Sequence, residues 1–242
     1  MEQSSGCLHV EMYWLIFISF SVLLLGFLVW ASAYIGSGVY VKSYCSAKCV
    51  DKFVALTFDD SPSPMTEKVL DVLKEHDVKA SFFLIGQNIE KYPNILQRIV
   101  DEGHIVGNHS WAHTADFPTK TYAEVENEFK KTSALIYKLT GRQPLFFRPP
   151  FGVTNPRIGR AVRNLGMKCI GWNIRSLDTV EKYTREAVMS RIASQMKPGS
   201  VILLHDRCKD SDKLLQMVLQ YINENGYKVV SIEELFNLKA YV

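Results

Sequence analysis

No block of like charges runs through this chain: Lys and Arg are scattered among Asp and Glu, and the net charge is only +3 over 242 residues. A strip of phosphate-neutralising cations is missing, so nucleic acid is excluded as an expected partner. Cysteine is sparse too, five in all, with neither a C-x-x-C pair nor another zinc-type spacing. That argues against a disulfide framework and a structural zinc cage. Cys45 and Cys49 stand close enough along the chain to pair, Cys169 lies in an apolar run, and Cys7 and Cys208 have no evident partner. Core or idle thiols are the expectation. Internal repeats and low-complexity tracts are also lacking. Apolar residues are abundant, 47% against 22% charged, which is the composition of a globular chain long enough for one large domain with a core.

Between Glu11 and Lys42 no residue is charged at all. The stretch 12–35, MYWLIFISFSVLLLGFLVWASAYI, is long enough to cross a hydrocarbon core of roughly 30 Å at about 1.5 Å per residue. It reads as an uncleaved, single-pass membrane anchor. A cleaved signal peptide is the rival, because Ala31-Ser32-Ala33 resembles a small-residue processing site. Against that rival, the apolar run exceeds the usual signal length and no Lys or Arg precedes it. Lys42, Lys48 and Lys52 follow the span, which favours a cytoplasmic domain; a cell-envelope substrate would favour an extracytoplasmic one. Residues 1–11 then form an N-terminal tail, 36–51 a linker and 52–242 the remaining domain.

From Lys52 onward two periods alternate. β-rich runs fall at 53–58, 80–85, 104–107, 145–148, 168–174, 200–205 and 227–232. Helical patterns fall between them at 65–76, 95–102, 122–139, 157–165, 184–196 and 213–225, and Gly103, Gly141, Gly166 and Gly226 stand just past four of these. Strand and helix in alternation imply a parallel sheet covered by helices. The notable polar residues follow several different strands: Asp59 and Asp60 the first, His109 and His113 the third, Arg148 the fourth, Asp178 the fifth and His205 the sixth. Chemistry gathered from many strand ends favours a barrel over an open doubly wound sheet.

His109 and His113, in NHSWAH, have the spacing that puts two imidazoles on one face of a helical turn, where they suit a single cation. Two neutral imidazoles plus one Asp make the ligand set of an open catalytic zinc or similar divalent site. Asp60 or Asp59 can supply the carboxylate. Successive side chains on a strand end diverge, so one aspartate can ligate while its neighbour works on water. The plainer reading of LTFDDSP is a strand-end pair capping the next helix through Asp60 or Ser61.

In order and separation, LTFDDSP, HSWAH, FRPPFG, SLDT and ILLHD resemble the five motifs of the polysaccharide deacetylase family, carbohydrate esterase family four, the NodB-homology domain. The resemblance covers residues 52 to about 236. It implies a distorted (β/α) barrel of about seven strand-helix units and a metal-dependent hydrolase that removes acetyl groups from N-acetylated or O-acetylated sugars. By motif, Asp59 resembles the catalytic base, and Asp60, His109 and His113 resemble the ligands of one divalent ion, zinc or else cobalt, manganese or nickel. Arg148 resembles the residue that steadies the base. His205 resembles the general acid, held by Asp178, and the backbone around Pro150 and Phe151 is similar to the family's oxyanion donor. An acetylated carbohydrate is the implied substrate, and no protein partner is inferred.

The departures are specific. Ser61 stands where the family usually has Gly, and Phe151 where Tyr is common. In the fourth motif Arg175 replaces an Asp and Thr179 a Trp, which removes an aromatic wall for a sugar ring and adds a cation. That points toward a smaller, anionic or lipid-linked substrate. Two other classes remain as alternatives: an amidohydrolase or deacylase acting on a non-sugar or lipid-linked substrate, and a catalytically inactive sugar-binding module.

Overall fold

The uncharged N-terminal stretch folds as part of one helix, α1 (Gln3–Ala33). Its portion Glu11–Ala33, with mean hydropathy 2.4, is long and apolar enough to cross a membrane. Side chains from Met12 to Trp30 are exposed on every side, as suits a helix surrounded by lipid rather than one with a single core-facing stripe. The computed structural model describes the backbone from Gln3 to Val242 and side chains from Glu11 onward, so the reading of Cys7 and the first two residues of the tail lie outside the described residues. The tail is helical from Gln3, continuous with the span.

The strands are β1 (Ser43–Tyr44), β2 (Phe53–Ser61), β3 (Ser81–Leu84), β4 (Ile105–Asn108), β5 (Phe146–Phe147), β6 (Lys168–Ile170), β7 (Ile174–Arg175), β8 (Ser200–His205) and β9 (Lys228–Val229). They form one sheet in the order β1-β6-β5-β4-β3-β2-β8-β7, with β9 against β2, and all of these ladders are parallel. The sequence run at 168–174 is split. Its first half, β6, pairs with β5 and its second, β7, with β8, so the chain itself carries the sheet around a bend at Gly171-Trp172-Asn173. This is the expected distorted (β/α) barrel, with the sheet strongly curled.

Along β2, Val54, Leu56 and Phe58 share a core with Val69 and Leu70 of α2 (Thr66–Glu75) and Leu215 and Val218 of α8 (Ser211–Glu224). The alternate residue Ala55 faces Phe83, Phe146, Ile170 and Val201 in the barrel interior. Burying each large apolar side chain contributes about 1.5–3 kcal/mol, so this alternation fixes the register: a one-residue slip would exchange the two faces. The other helices are α3 (Gly86–Lys91), α4 (Pro93–Asp101), α5 (Tyr122–Thr140), α6 (Pro156–Asn164), α7 (Arg185–Gln195) and α9 (Ile232–Phe236). Their starts are chemically marked. Thr121 and Glu124 form a capping box on α5, and Asn155 accepts from Arg157 N and Ile158 N ahead of Pro156.

Beside these elements, the structure shows where the less regular segments go. Segment 36–51 is woven into the domain: β1 pairs with β6, and Ser46 bridges to Ser200. Two glycines permit this close approach, since a Cβ on Gly159 would sit 2.3 Å from Tyr40 O and one on Gly199 1.9 Å from Ala47 O. The short polar strand Ser43–Tyr44 has no apolar run to announce it. The run at 227–232 shortens to β9, because Ser231 caps α9 through Glu234 N. Cys45, Cys49, Cys169 and Cys208 are all free.

The end of α1 belongs to the domain rather than hanging beside it. Ala31 is fully buried, Ile35 sits in the core with Phe147, Ile158 and Ala161, and Thr154 N donates to Ser32 O at 3.0 Å.

Behind β4, His104 is buried against the edge of Phe82 and accepts from Ala80 N through Nδ1 at 3.2 Å. Burial, helped by the Lys79 charge, holds its pKa down to about 4 from an ordinary 6.5. The unfolded chain therefore takes up this proton first, and stability is lost as pH falls from 6.5 toward 4, by up to about 3 kcal/mol. In thermal denaturation at successive pH values, His104→Gln is expected to flatten the decline of the midpoint over this window. An undiminished acid decline in the variant would remove His104 from the account.

Candidate active site

β2 ends in a defect that the alternation rule does not anticipate. Its register with β3 slips between Phe58 and Ser61, and Asp60 adopts a left-handed φ of 66°. A bulge of this kind turns an extra residue onto the same side, so Asp59 and Asp60 line one cavity instead of pointing to opposite faces. His109, His113, Phe151 and His205 line that cavity too, a space of about 130 Å³. Arg148 and Asp178 stand behind it, each bonded to a residue of its wall, and Pro150 is buried in the turn that carries Phe151.

The two histidines meet without a helix. Ser110 and His113 both have positive φ, 69° and 50°, and the turn is tied down by Ser110 N to Asn108 Oδ1 and by Trp111 N to Glu128 Oε2. His109 Nδ1 contacts Arg148 O at 2.8 Å, which assigns that nitrogen as the N–H donor and leaves Nε2 with a lone pair. His109 Nε2 and His113 Nε2 lie 3.6 and 3.5 Å from Asp60 Oδ1, an atom that is buried and has no hydrogen-bond partner. Acceptors converging on one buried point without a hydrogen between them call for a cation. The three candidate ligand atoms all lie within 4.8 Å of one another, a spacing that suits bonds of about 2 Å to one ion. Burial, together with the neighbouring His109, lowers the His113 pKa and favours the neutral ligand form. Burial alone would raise the Asp60 carboxyl, but His109, His205, His113 and Arg207 outweigh it and hold it below its ordinary value.

Asp59 is oriented from one side. Arg148, fully buried, donates through Nη1 to Asp59 Oδ1 at 2.7 Å and to Thr57 Oγ1 at 2.8 Å, and through Nε and Nη2 to Ile170 O and Gly171 O. His205 Nδ1 lies 2.8 Å from Asp178 Oδ1, and His205 N donates to Asp178 Oδ2 at 2.7 Å. Burial would depress the His205 pKa, yet the hydrogen bond and charge of Asp178, with Asp59 and Asp60 beyond, raise it above the ordinary value. The imidazole is thereby kept as a proton donor with Nε2 as its free ring nitrogen. Phe151 holds φ at 60° in the turn Pro150–Gly152, and its ring lies 4.6 Å from that of His113.

Sequence reasoning missed three residues here. Arg207 Nε grips Asp60 Oδ2 at 2.6 Å, which leaves Oδ1 to the histidines. Asp206 is fully buried, and burial pushes its pKa up to about 6; its Oδ2 accepts from Ser61 Oγ and Thr66 Oγ1, both at 2.7 Å, which locks the end of β2 to α2. Trp172 wedges against Gly152, where a Cβ would come within 2.5 Å of the indole. Asp206 closes the ILLHD motif without drawing a role from it, and the only signal for Arg207 was its place two positions after His205.

Known proteins share this arrangement of chain. The profile described as polysaccharide deacetylase matches residues 47–170. The chain is 34% identical over 211 residues to the peptidoglycan-N-acetylglucosamine deacetylase PgdA of Listeria monocytogenes, covering 86% of this chain but 44% of that protein. It is 33% identical over 189 residues to the peptidoglycan-N-acetylmuramic acid deacetylase PdaA of Bacillus subtilis, covering 76% and 72%. The crystal structure of the Bc1960 peptidoglycan N-acetylglucosamine deacetylase superposes with a TM-score of 0.77 at 30% identity, covering 88% of this chain and 98% of that one.

Proposed function

Because the chain belongs to the polysaccharide deacetylase family, we propose that it is a metal-dependent hydrolase removing acetyl groups from N-acetylated, or O-acetylated, sugars of a cell-envelope glycan. The observation that carries this reading is Asp60 Oδ1, buried and unpartnered, facing two imidazole nitrogens beside an independently held Asp59.

Asp60, His109 and His113 would hold the ion, and zinc is the proposed one because two imidazoles and one carboxylate form a familiar catalytic donor set for it. When bound, a divalent cation supplies Lewis acidity toward water and the acetyl carbonyl. Asp59, with Oδ1 fixed by Arg148, offers Oδ2 to take the proton of the attacking water. The Phe151 N–H is the proposed donor to the developing oxyanion, a contact whose loss typically costs about 3–4 kcal/mol. His205, oriented by Asp178, would protonate the leaving nitrogen or oxygen from Nε2. The proposed anchor is α1, single-pass and retained; a cell-envelope substrate would favour the outer side for the domain, and Lys42, Lys48 and Lys52 the inner one.

The test strips metal from the full chain in detergent and measures acetate released from N-acetylglucosamine oligomers and acetylated xylan. Chelation is expected to reduce release by about a thousandfold or more, with recovery on adding zinc. Undiminished release after chelation would refute metal dependence. Sugar binding without acetate release under any added cation would identify an inactive binding module, and release from simple amides but not sugars a general amidohydrolase.

A further inference from the structure

Three arginines line or back the proposed catalytic cavity, and two of them are committed. Arg148 has its guanidinium bonded to Asp59, Thr57 and two carbonyls, and Arg207 Nε is bonded to Asp60. The third, Arg175, lines the same cavity but is exposed, and among the described residues its guanidinium has neither a hydrogen bond nor an ion pair. Its backbone is nonetheless fixed: Arg175 is in register with Leu203 of β8, and its carbonyl accepts from Arg191 Nε at 2.8 Å. The sheet therefore places the stem and leaves the head free.

Among the described residues no carboxylate pairs with it, and those of the cavity each have a basic partner already. Asp59 is held by Arg148, Asp60 by Arg207, and both oxygens of Asp178 are bonded to His205. A neutral acetylated sugar offers this cation only weak dipoles, whereas an anion presents it with charge-assisted, forked hydrogen bonds. Space exists for such a group. Thr179 and Arg207 form a shared wall between the catalytic cavity and a neighbouring one of about 480 Å³, so a substrate is not confined to the acetyl-bearing ring. That larger chamber is lined by Glu181 and Asp210 as well as Arg185 and Lys209, a mixed set, whereas Arg175 is an unpaired cation of the catalytic cavity.

We propose that Arg175 is a specificity-determining residue that receives an anionic substituent, carboxylate or phosphate, carried by the acetylated sugar. The inference rests on the deacetylase reading and narrows its substrate class.

The test uses the full, zinc-supplemented chain in detergent with matched substrates: an N-acetylglucosamine disaccharide, the same sugar with a carboxylate ether, the methyl ester of that ether, and a phosphate ester. Acetate release and equilibrium binding are both measured. Wild-type protein is expected to favour an anionic sugar over the methyl ester by roughly tenfold or more, mainly through KM, and the two anionic arms report which acid it takes. Arg175→Gln is expected to bring the anionic-to-neutral ratio close to one, while Arg175→Lys retains part of it. Equal handling of charged and neutral sugars by wild type, or a ratio unchanged in Arg175→Gln, overturns the inference while leaving the deacetylase reading intact. Absence of acetate from every sugar sinks the deacetylase reading; the binding ratio still decides whether Arg175 selects anions.

Discussion

Asp59→Asn is expected to lower acetate release by about a hundred- to ten-thousandfold, the range associated with loss of a positioned general base, while the protein still binds its metal. The substitution is nearly isosteric. Asparagine can keep an oxygen toward Arg148 Nη1, now 2.7 Å from Asp59 Oδ1, but it places an amide where Oδ2 would take a proton. Asp60, His109 and His113 are unaltered, so metal stoichiometry should be preserved. Measuring metal content beside turnover separates the roles: loss of metal would make Asp59 a ligand, and activity within tenfold of the parent would deny it the role of base.

Arg148→Ala should produce the largest loss of stability. The guanidinium is fully buried, lies 4.1 Å from the centre of the Phe83 ring, and satisfies Thr57, Asp59, Ile170 O and Gly171 O together. Truncation leaves a buried carboxylate without its counter-charge and two carbonyls without donors. Breaking a buried pair typically costs about 3–5 kcal/mol, which for a domain of this size lowers the thermal midpoint by about 10 °C or more. Arg148→Lys keeps the charge but not the planar fork, so an intermediate midpoint is expected. Thermal denaturation of the full chain in detergent checks both variants. A drop of only a few degrees for Arg148→Ala would mean that water satisfies the vacated groups.

These two residues also show how far the chain could be read beforehand. The apolar alternation through β2 and the run into His205 are strong signals because burying one face fixes the register, and both strands lie where the pattern put them. Helices with clear apolar stripes, α2 and α6 among them, were legible for the same reason. What escaped depends on backbone geometry that residue type announces only weakly. The left-handed Asp60 brings two aspartates into one cavity, and positive φ at Ser110 and His113 replaces the expected helical turn. Arg207 and Asp206 act through tertiary contacts to Asp60, Ser61 and Thr66, 140 to 147 positions away in the chain. No local pattern encodes such pairs. The polar β1 was hidden because backbone pairing with β6 holds it, with no apolar run of its own.

The bond from Thr154 N to Ser32 O joins the last turn of α1 to the loop that carries Phe151, only three positions earlier. Helix and domain are thus tied together directly. A fragment trimmed to begin beyond Ile35 would expose the hydrophobic socket that Ile35 fills and strip Thr154 of its acceptor, so solubility gained by trimming would come with a loosened catalytic lip.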